Sequence, residues 1–370
     1  MVINMNILMV LNNLRVANGV ATTIMNQYDE LIHNGFNVDF MEFLDFDSPY
    51  IDRIKKNGGE IFCVSKNKNA LKNMSNILKR KNYNIVHINQ VNAQTVQLAI
   101  IARYYQVPHV VFHSHNTKIP GGVKRRVLET GCNIVYRMFA DTLVACSEQA
   151  GKDSFGNKDF VVLKNSIDAR KFEFNKTKRD EIRTQLNISA DTLVVGTVCR
   201  YARQKNPIFM IDIIDKLLNM GINTKFLWVG SAPSENDPVY KEMQKEIRRR
   251  NIADKMLWVG SKNDIFNWYS AMDVFLMPSL WEGLGITYIE AQANSLPTFA
   301  SDVVPVETKV TELIKFYSLN LSADEWALEI SKCSIRNGNV KNYFNEIKKA
   351  GYDLTTAKSD LLHIYQKVLN

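Results

Sequence analysis

The chain has 370 residues, 46% of them hydrophobic, 23% charged and 10% aromatic, a globular profile too long for one ordinary core, so two domains are expected. The formal net charge is +8, and residues 1–185 hold 25 Lys+Arg against 17 Asp+Glu while residues 186–370 hold 21 against 21, so the whole excess lies in the first half and favours a polyanionic partner there. No apolar run approaches the length of a membrane span, and the start at Ile7–Leu11 lacks both a basic leader and a small-residue cleavage site.

Short β-branched or apolar runs alternate with longer helical patterns, the signature of βαβ units and parallel sheets. In the first half strands are expected at Asn6–Leu11, Val38–Leu44, Glu60–Val64, Ile85–Asn89, His109–His113, Thr142–Cys146 and Phe160–Leu163, with helical periodicity between them. Thr22–His33, for example, sets Ile24, Tyr28, Leu31 and Ile32 on one stripe. A polar, charge-dense segment from Asp168 to Arg183 interrupts the pattern. A second alternation follows at Thr192–Cys199, Lys225–Val229, Met256–Val259, Val274–Met277 and Thr298–Ala300, and the chain then reads as helices only, at Asp324–Cys333, Tyr343–Ala350 and Thr355–Leu369. The expected architecture is α/β, two doubly wound domains over 1–175 and 176–354, with the final helix 355–370 free to pack back on the first. Ligands are expected at the carboxyl ends of the strands. The five cysteines (Cys63, Cys132, Cys146, Cys199, Cys333) are scattered without C-x-x-C or zinc-ligand spacing, which fits a reducing compartment and a fold without metal.

The most informative segment is Met277–Ala291. An apolar strand runs into a loop carrying Glu282, Gly283 and Gly285, and a helix is expected to begin near Ile286. Its first-turn N–H groups form an anion site with the helix dipole behind them, and Glu290 lies about one turn inside. The same half opens with Gly196–Pro207, where a strand delivers Arg200 to its carboxyl end and Lys205 to the mouth of the next helix. A guanidinium fork and an ammonium suit a diphosphate leaving group, whose oxygens gain charge as the bond breaks.

Glu282-Gly-Leu-Gly-Ile-Thr-Tyr-Ile-Glu290, Arg200 with Lys205, Leu163–Asp168 and His113-Ser-His-Asn-Thr117 together resemble the retaining GT-B glycosyltransferases of family four, particularly the bacterial capsule and exopolysaccharide enzymes. The resemblance runs from Gly19 to the Ala350–Leu354 element and implies the GT-B fold, two Rossmann-like domains facing a central cleft. It implies that Glu290 holds the ribose of a nucleotide-sugar donor, UDP-linked, and that Arg200 and Lys205 hold its diphosphate. The amides of Gly285, Ile286 and Thr287 would meet donor phosphate or sugar, Glu282 the sugar hydroxyls, and Gly19 the diphosphate, although Asn18 replaces the second glycine of the usual pair. His115, favoured over His113, would be the cleft histidine, while Asn165 and Asp168 would organise the crossover between domains. The implied acceptor is a lipid-linked saccharide, on the inner face of the plasma membrane.

Asp45-Phe-Asp47 matches the D-x-D metal motif of the other large glycosyltransferase fold, but its place after the second strand of a doubly wound pattern makes these loop acids, and no metal or cofactor is expected. Lys124, Arg125 and Arg126, ahead of the apolar stretch to Ala140 and helped by Lys79, Arg80 and Lys81, could lie on an anionic leaflet. The alternative is a core-packing helix with a solvated basic end. A dehydrogenase is disfavoured because Gly19 has no G-x-G-x-x-G companions. A sugar-nucleotide epimerase of the same fold stays open. A nucleic-acid-binding protein lacks any recognisable module, and no nucleic-acid partner is expected.

Overall fold

The computed structural model describes residues 5–15, 19–44, 47–64, 70–89, 93–115, 130–131, 134–135, 138–230 and 236–369. Two compact units divide the chain, one of Met1–Ser166 with Leu354–Asn370, the other of Ile167–Asp353. Asn18, Asp45, Asn116, Thr117 and the Lys124–Arg126 cluster lie outside the described residues.

The first unit is a seven-stranded parallel sheet built from β1 (Met5–Leu11), β2 (Phe36–Glu42), β3 (Ile61–Cys63), β4 (Ile85–Ile88), β5 (His109–Ser114), β6 (Thr142–Ala145) and β7 (Val161–Val162), in the order β3-β2-β1-β4-β5-β6-β7. Ile7, Met9 and Leu11 alternate onto one face of β1 and pack against Ile24, Tyr28 and Leu31 of the helix Gly19–His33. The helix Leu354–Leu369 returns to this same core through Leu361, Ile364 and Tyr365. β2 starts and stops two residues before the expected span, because Phe43 and Leu44 turn away to hydrogen-bond the carbonyl of Asn12.

The second unit is a six-stranded parallel sheet of β8 (Leu193–Val198), β9 (Thr224–Val229), β10 (Met256–Trp258), β11 (Val274–Met277), β12 (Thr298–Ser301) and β13 (Ile314–Tyr317), ordered β10-β9-β8-β11-β12-β13. The expectation of helices only after Thr298–Ala300 is corrected by β13, an edge strand whose Lys315 faces solvent and interrupts the apolar pattern. The polar segment 168–183 lies in this unit and carries the helix Lys176–Gln185. Two of its cations are consumed internally. Arg179 and Arg183 converge on the fully buried Asp273 at 2.5 and 3.1 Å, and Arg336 caps the carbonyls of Tyr269, Ser270, Met272 and Asn294. Two guanidiniums share one carboxylate there, Arg336 meets it only through its backbone amide, and desolvation above all, followed by the nearby charge of Arg179, pulls the Arg336 pKa down to about 9.

In each sheet the winding reverses beside the first strand, between β1 and β4 and between β8 and β11. Crevices that hold ligands open at the carboxyl ends of strands at such points. No helix among the described residues is long and apolar enough to cross a membrane.

Candidate active site

At the reversal in the second sheet, the loops after β8 and β11 are tied together. The Leu280 amide donates to the Gln204 carbonyl at 2.8 Å, and Gln204 Nε2 donates to the Trp281 carbonyl at 2.9 Å. Lys205, in the short 3₁₀ turn Arg203–Lys205 ahead of the helix Pro207–Asn219, places Nζ 2.5 Å from Glu282 Oε1. Both side chains are largely covered, and Ser279 Oγ donates to the same carboxylate oxygen at 2.6 Å. The two residues assigned by resemblance to phosphate and to sugar hydroxyls are thus each other's partner. Glu282 does not cap the following helix. Arg200, two residues past β8, is exposed and forms no ion pair among the described residues.

The helix begins at Ile286, as the sequence predicts, and runs to Ala293 with Gly285 as its N-cap residue and no capping side chain. Its first-turn amides therefore keep their donor capacity for a ligand. Gly285 has φ +82°, and a Cβ there would come within 2.6 Å of the Tyr288 ring, so backbone conformation and space both require glycine. Tyr288 is fixed in turn by its hydroxyl, which donates to the Met277 carbonyl at 2.7 Å.

Glu290 lies one turn inside and is 4% exposed. Burial pushes its pKa up to about 7, and the Tyr269 hydroxyl, donating to Oε2 at 2.6 Å, restrains that rise. A buried carboxylate poised near neutrality gains most from a ligand that brings hydroxyl donors, as a vicinal diol does. Tyr269 was not anticipated from the sequence. Its one signal is a tyrosine in an apolar helical stretch, where a buried hydroxyl needs a partner.

In the first unit, Gly19 opens the helix Gly19–His33, and a Cβ there would meet nothing within 4 Å among the described residues. Packing against the described residues does not require glycine at that position. His113 and His115 share a face, as strand alternation predicts, with ring centroids 3.8 Å apart. His115 Nε2 lies 3.3 Å from Asn89 Oδ1, and burial pushes its pKa down to about 3. Asp168 pairs with Lys171 at 3.1 Å, and the Ala169 amide is instead held by the buried Asp353 at 3.1 Å. Asn165 Oδ1 is buried without a partner among the described residues. Asp47 is an exposed loop residue, and the neighbouring Ser48 caps the next helix. No group of three or more His, Cys, Asp or Glu among the described residues is placed to hold a metal ion.

Known proteins resemble this chain in both sequence and fold. The family described as "Glycosyl transferases group 1" matches residues 178–333, which hold the β8 and β11 loops. The chain is 29% identical to the putative glycosyltransferase EpsF of Bacillus subtilis over 94% of its own length and 93% of the relative's. It is 27% identical, over 77% of each chain, to the UDP-Gal:alpha-D-GlcNAc-diphosphoundecaprenol alpha-1,3-galactosyltransferase of Escherichia coli. In fold it is similar to Anabaena Alr3699/HepE, solved in complex with UDP and glucose, with TM-score 0.79 at 18% identity, covering 98% of this chain and 99% of that one. The two doubly wound units are the GT-B architecture. The chain is a glycosyltransferase of that fold, related to bacterial capsular, lipopolysaccharide and exopolysaccharide enzymes.

Proposed function

We propose that this enzyme transfers a sugar, with retention of configuration, from a UDP-linked donor to a lipid-linked saccharide during surface polysaccharide assembly. The observation that carries the donor reading is Glu290, a buried carboxylate held on one oxygen by Tyr269 inside a helix whose N-terminus has no capping side chain. In this reading Glu290 takes the ribose hydroxyls. Arg200, Lys205 and the amides of Gly285, Ile286 and Thr287 take the diphosphate and Gly19 lets the backbone approach it, with His115 and Glu282 beside the sugar. Glu282 already shares Lys205, so this pair adds no net charge, and the exposed Arg200 supplies an unneutralised cation. The departing phosphate oxygen takes the proton of the acceptor hydroxyl as the new bond forms on the same face of the sugar.

The acceptor and the membrane surface rest on other observations. The curated relative from Escherichia coli is named for a diphosphoundecaprenol substrate. Ile134 and Met138 are 53% and 72% exposed, so neither is a sheet-facing core residue, and both follow the basic run Lys124–Arg126 in the sequence. Lys81, in contrast, is engaged with the buried Asp39 at 2.7 Å and adds little to a docking surface.

A screen of nucleotide-sugars for nucleotide release, with and without lipid-linked saccharides, tests the reading. Release that requires both a UDP-sugar and a lipid-linked acceptor, and that persists in excess chelator, is expected. Epimerised donor without transfer would replace the reading with an epimerase. Loss of turnover in EDTA, restored by magnesium or manganese, would move the diphosphate charge onto a metal ion.

A further inference from the structure

Beside β1 the first unit buries a row of rings. His87 on β4 lies 5.4 Å, centroid to centroid, from His113 on β5, and His113 lies 3.8 Å from His115. Tyr365 of the returning helix closes one end, its hydroxyl 2.6 Å from His87 Nδ1, and Asn89, one residue past β4, closes the other against His115. His115 Nδ1 is buried and has no hydrogen-bond partner among the described residues.

The orientation of the Asn89 amide fixes the protonation of His115. Asn89 Nδ2 faces the His87 carbonyl at 3.3 Å and the Met9 sulfur at 3.9 Å. Both of these can only accept, so the NH₂ group belongs on that side and the amide oxygen belongs on the side of His115. An amide oxygen cannot donate. Nε2 of His115 must therefore carry the ring proton. Burial keeps the imidazole neutral, which leaves Nδ1 with its lone pair, desolvated and unused. A buried acceptor without a donor is unfavourable until a donor arrives, and a neutral ring in this tautomer cannot act as a proton donor through Nδ1.

We propose that Asn89 is a positioning residue that locks His115 in the Nε2–H tautomer, so that Nδ1 accepts a hydrogen bond from a sugar hydroxyl, with the His113 ring packed against it at a tilt of 34°. The hydroxyl contact rests on the assignment of His115 to the active site, whereas the tautomer does not.

The test is a nitrogen-15 correlation spectrum of the histidine rings in the full chain at pH 7, with His115→Gln used to assign the signals. The parent is expected to place a proton on Nε2 and none on Nδ1. Asn89→Ala should relax this preference and lower kcat roughly tenfold to hundredfold, leaving the affinity for UDP unchanged. Asn89→Asp, which keeps an acceptor oxygen, should keep the proton on Nε2. A proton on Nδ1 in the parent, or parent tautomer and parent kcat in folded Asn89→Ala, would overturn the proposal. If the tautomer is as stated but His115→Gln turns over at the parent rate, the hydroxyl contact falls together with the active-site assignment of His115.

Discussion

The two sheets share one winding order, yet their carboxyl edges are furnished with opposite chemistry. The β8–β11 edge carries charge in several forms, with a buried Lys205–Glu282 pair, the exposed Arg200, a helix N-terminus without a cap, and a carboxyl group titrating near neutrality. The β4–β5 edge carries neutral rings. His87, His113 and His115 are all pushed well below the usual histidine range, chiefly by burial. One edge is suited to an anion and a diol, the other to neutral hydroxyls, and the difference lies in a few residues past each strand end while the scaffold stays the same. In a repeated fold the topology places a crevice at the same point of each sheet, and the residues just past each strand end set its chemistry.

Breaking the charged edge should have the largest effect. Lys205→Met leaves Glu282 buried without its cation, which typically costs about 3–5 kcal/mol. Thermal unfolding should show a clear drop in Tm, and a Tm equal to the parent's would mean that the pair is not buried in solution. The corresponding change at the neutral edge, His113→Phe, removes no charge and should move Tm much less.

Glu290→Gln should act in the opposite direction. The fold raises this pKa from an ordinary 4.5 to about 7, so the stability that protonation confers is fully present below pH 4.5 and is lost as pH rises through 7. A glutamine at this position, which carries no charge at any pH, avoids that loss. At pH 8 the substitution should therefore stabilise by about 3 kcal/mol, with no gain at pH 4.5, while nucleotide affinity falls. Equal stabilisation at both pH values would remove titration as the cause.

Tyr269→Phe should have the smallest effect of the three. Losing one hydrogen bond to the carboxylate costs about 1.5–3 kcal/mol of interaction with the charged form, so the Glu290 pKa should rise further. UDP binding to the parent should weaken as pH falls through 7, and in Tyr269→Phe the same weakening should begin at a higher pH. Superimposable pH profiles would separate Tyr269 from Glu290.

Much of the scaffold was legible because parallel strands buried on both faces read as continuous apolar runs bounded by polar turns. Val274–Met277 is a case where the expected and observed ends coincide. The start of the helix at Ile286 was equally readable, since a glycine that can adopt positive φ directly precedes it. β13 was not readable, because an edge strand of four residues with an outward lysine lacks a complete apolar run. Nor did sequence reveal that Lys205 and Glu282 meet, 77 residues apart, or that Tyr269 supports Glu290 and Asn89 supports His115. Each pairing arises from two loops or elements brought together by the winding order, and no local periodicity encodes it. The destination of the Asp168–Arg183 charge was hidden for the same reason, since its partner Asp273 lies about ninety residues further along.

The most direct test of the charged edge is calorimetric titration of the parent, Arg200→Ala, Lys205→Ala and Glu290→Ala with UDP, alongside uridine followed by competition. Arg200→Ala is expected to weaken UDP binding roughly tenfold to hundredfold, and Lys205→Ala to weaken it in the same sense. Both should leave uridine unaffected, because the lost contacts are to phosphate. Glu290→Ala should weaken both ligands, because its contact is to ribose. Parent-like UDP affinity in all three folded variants would contradict the account, and so would equal losses for UDP and uridine in the two cation variants.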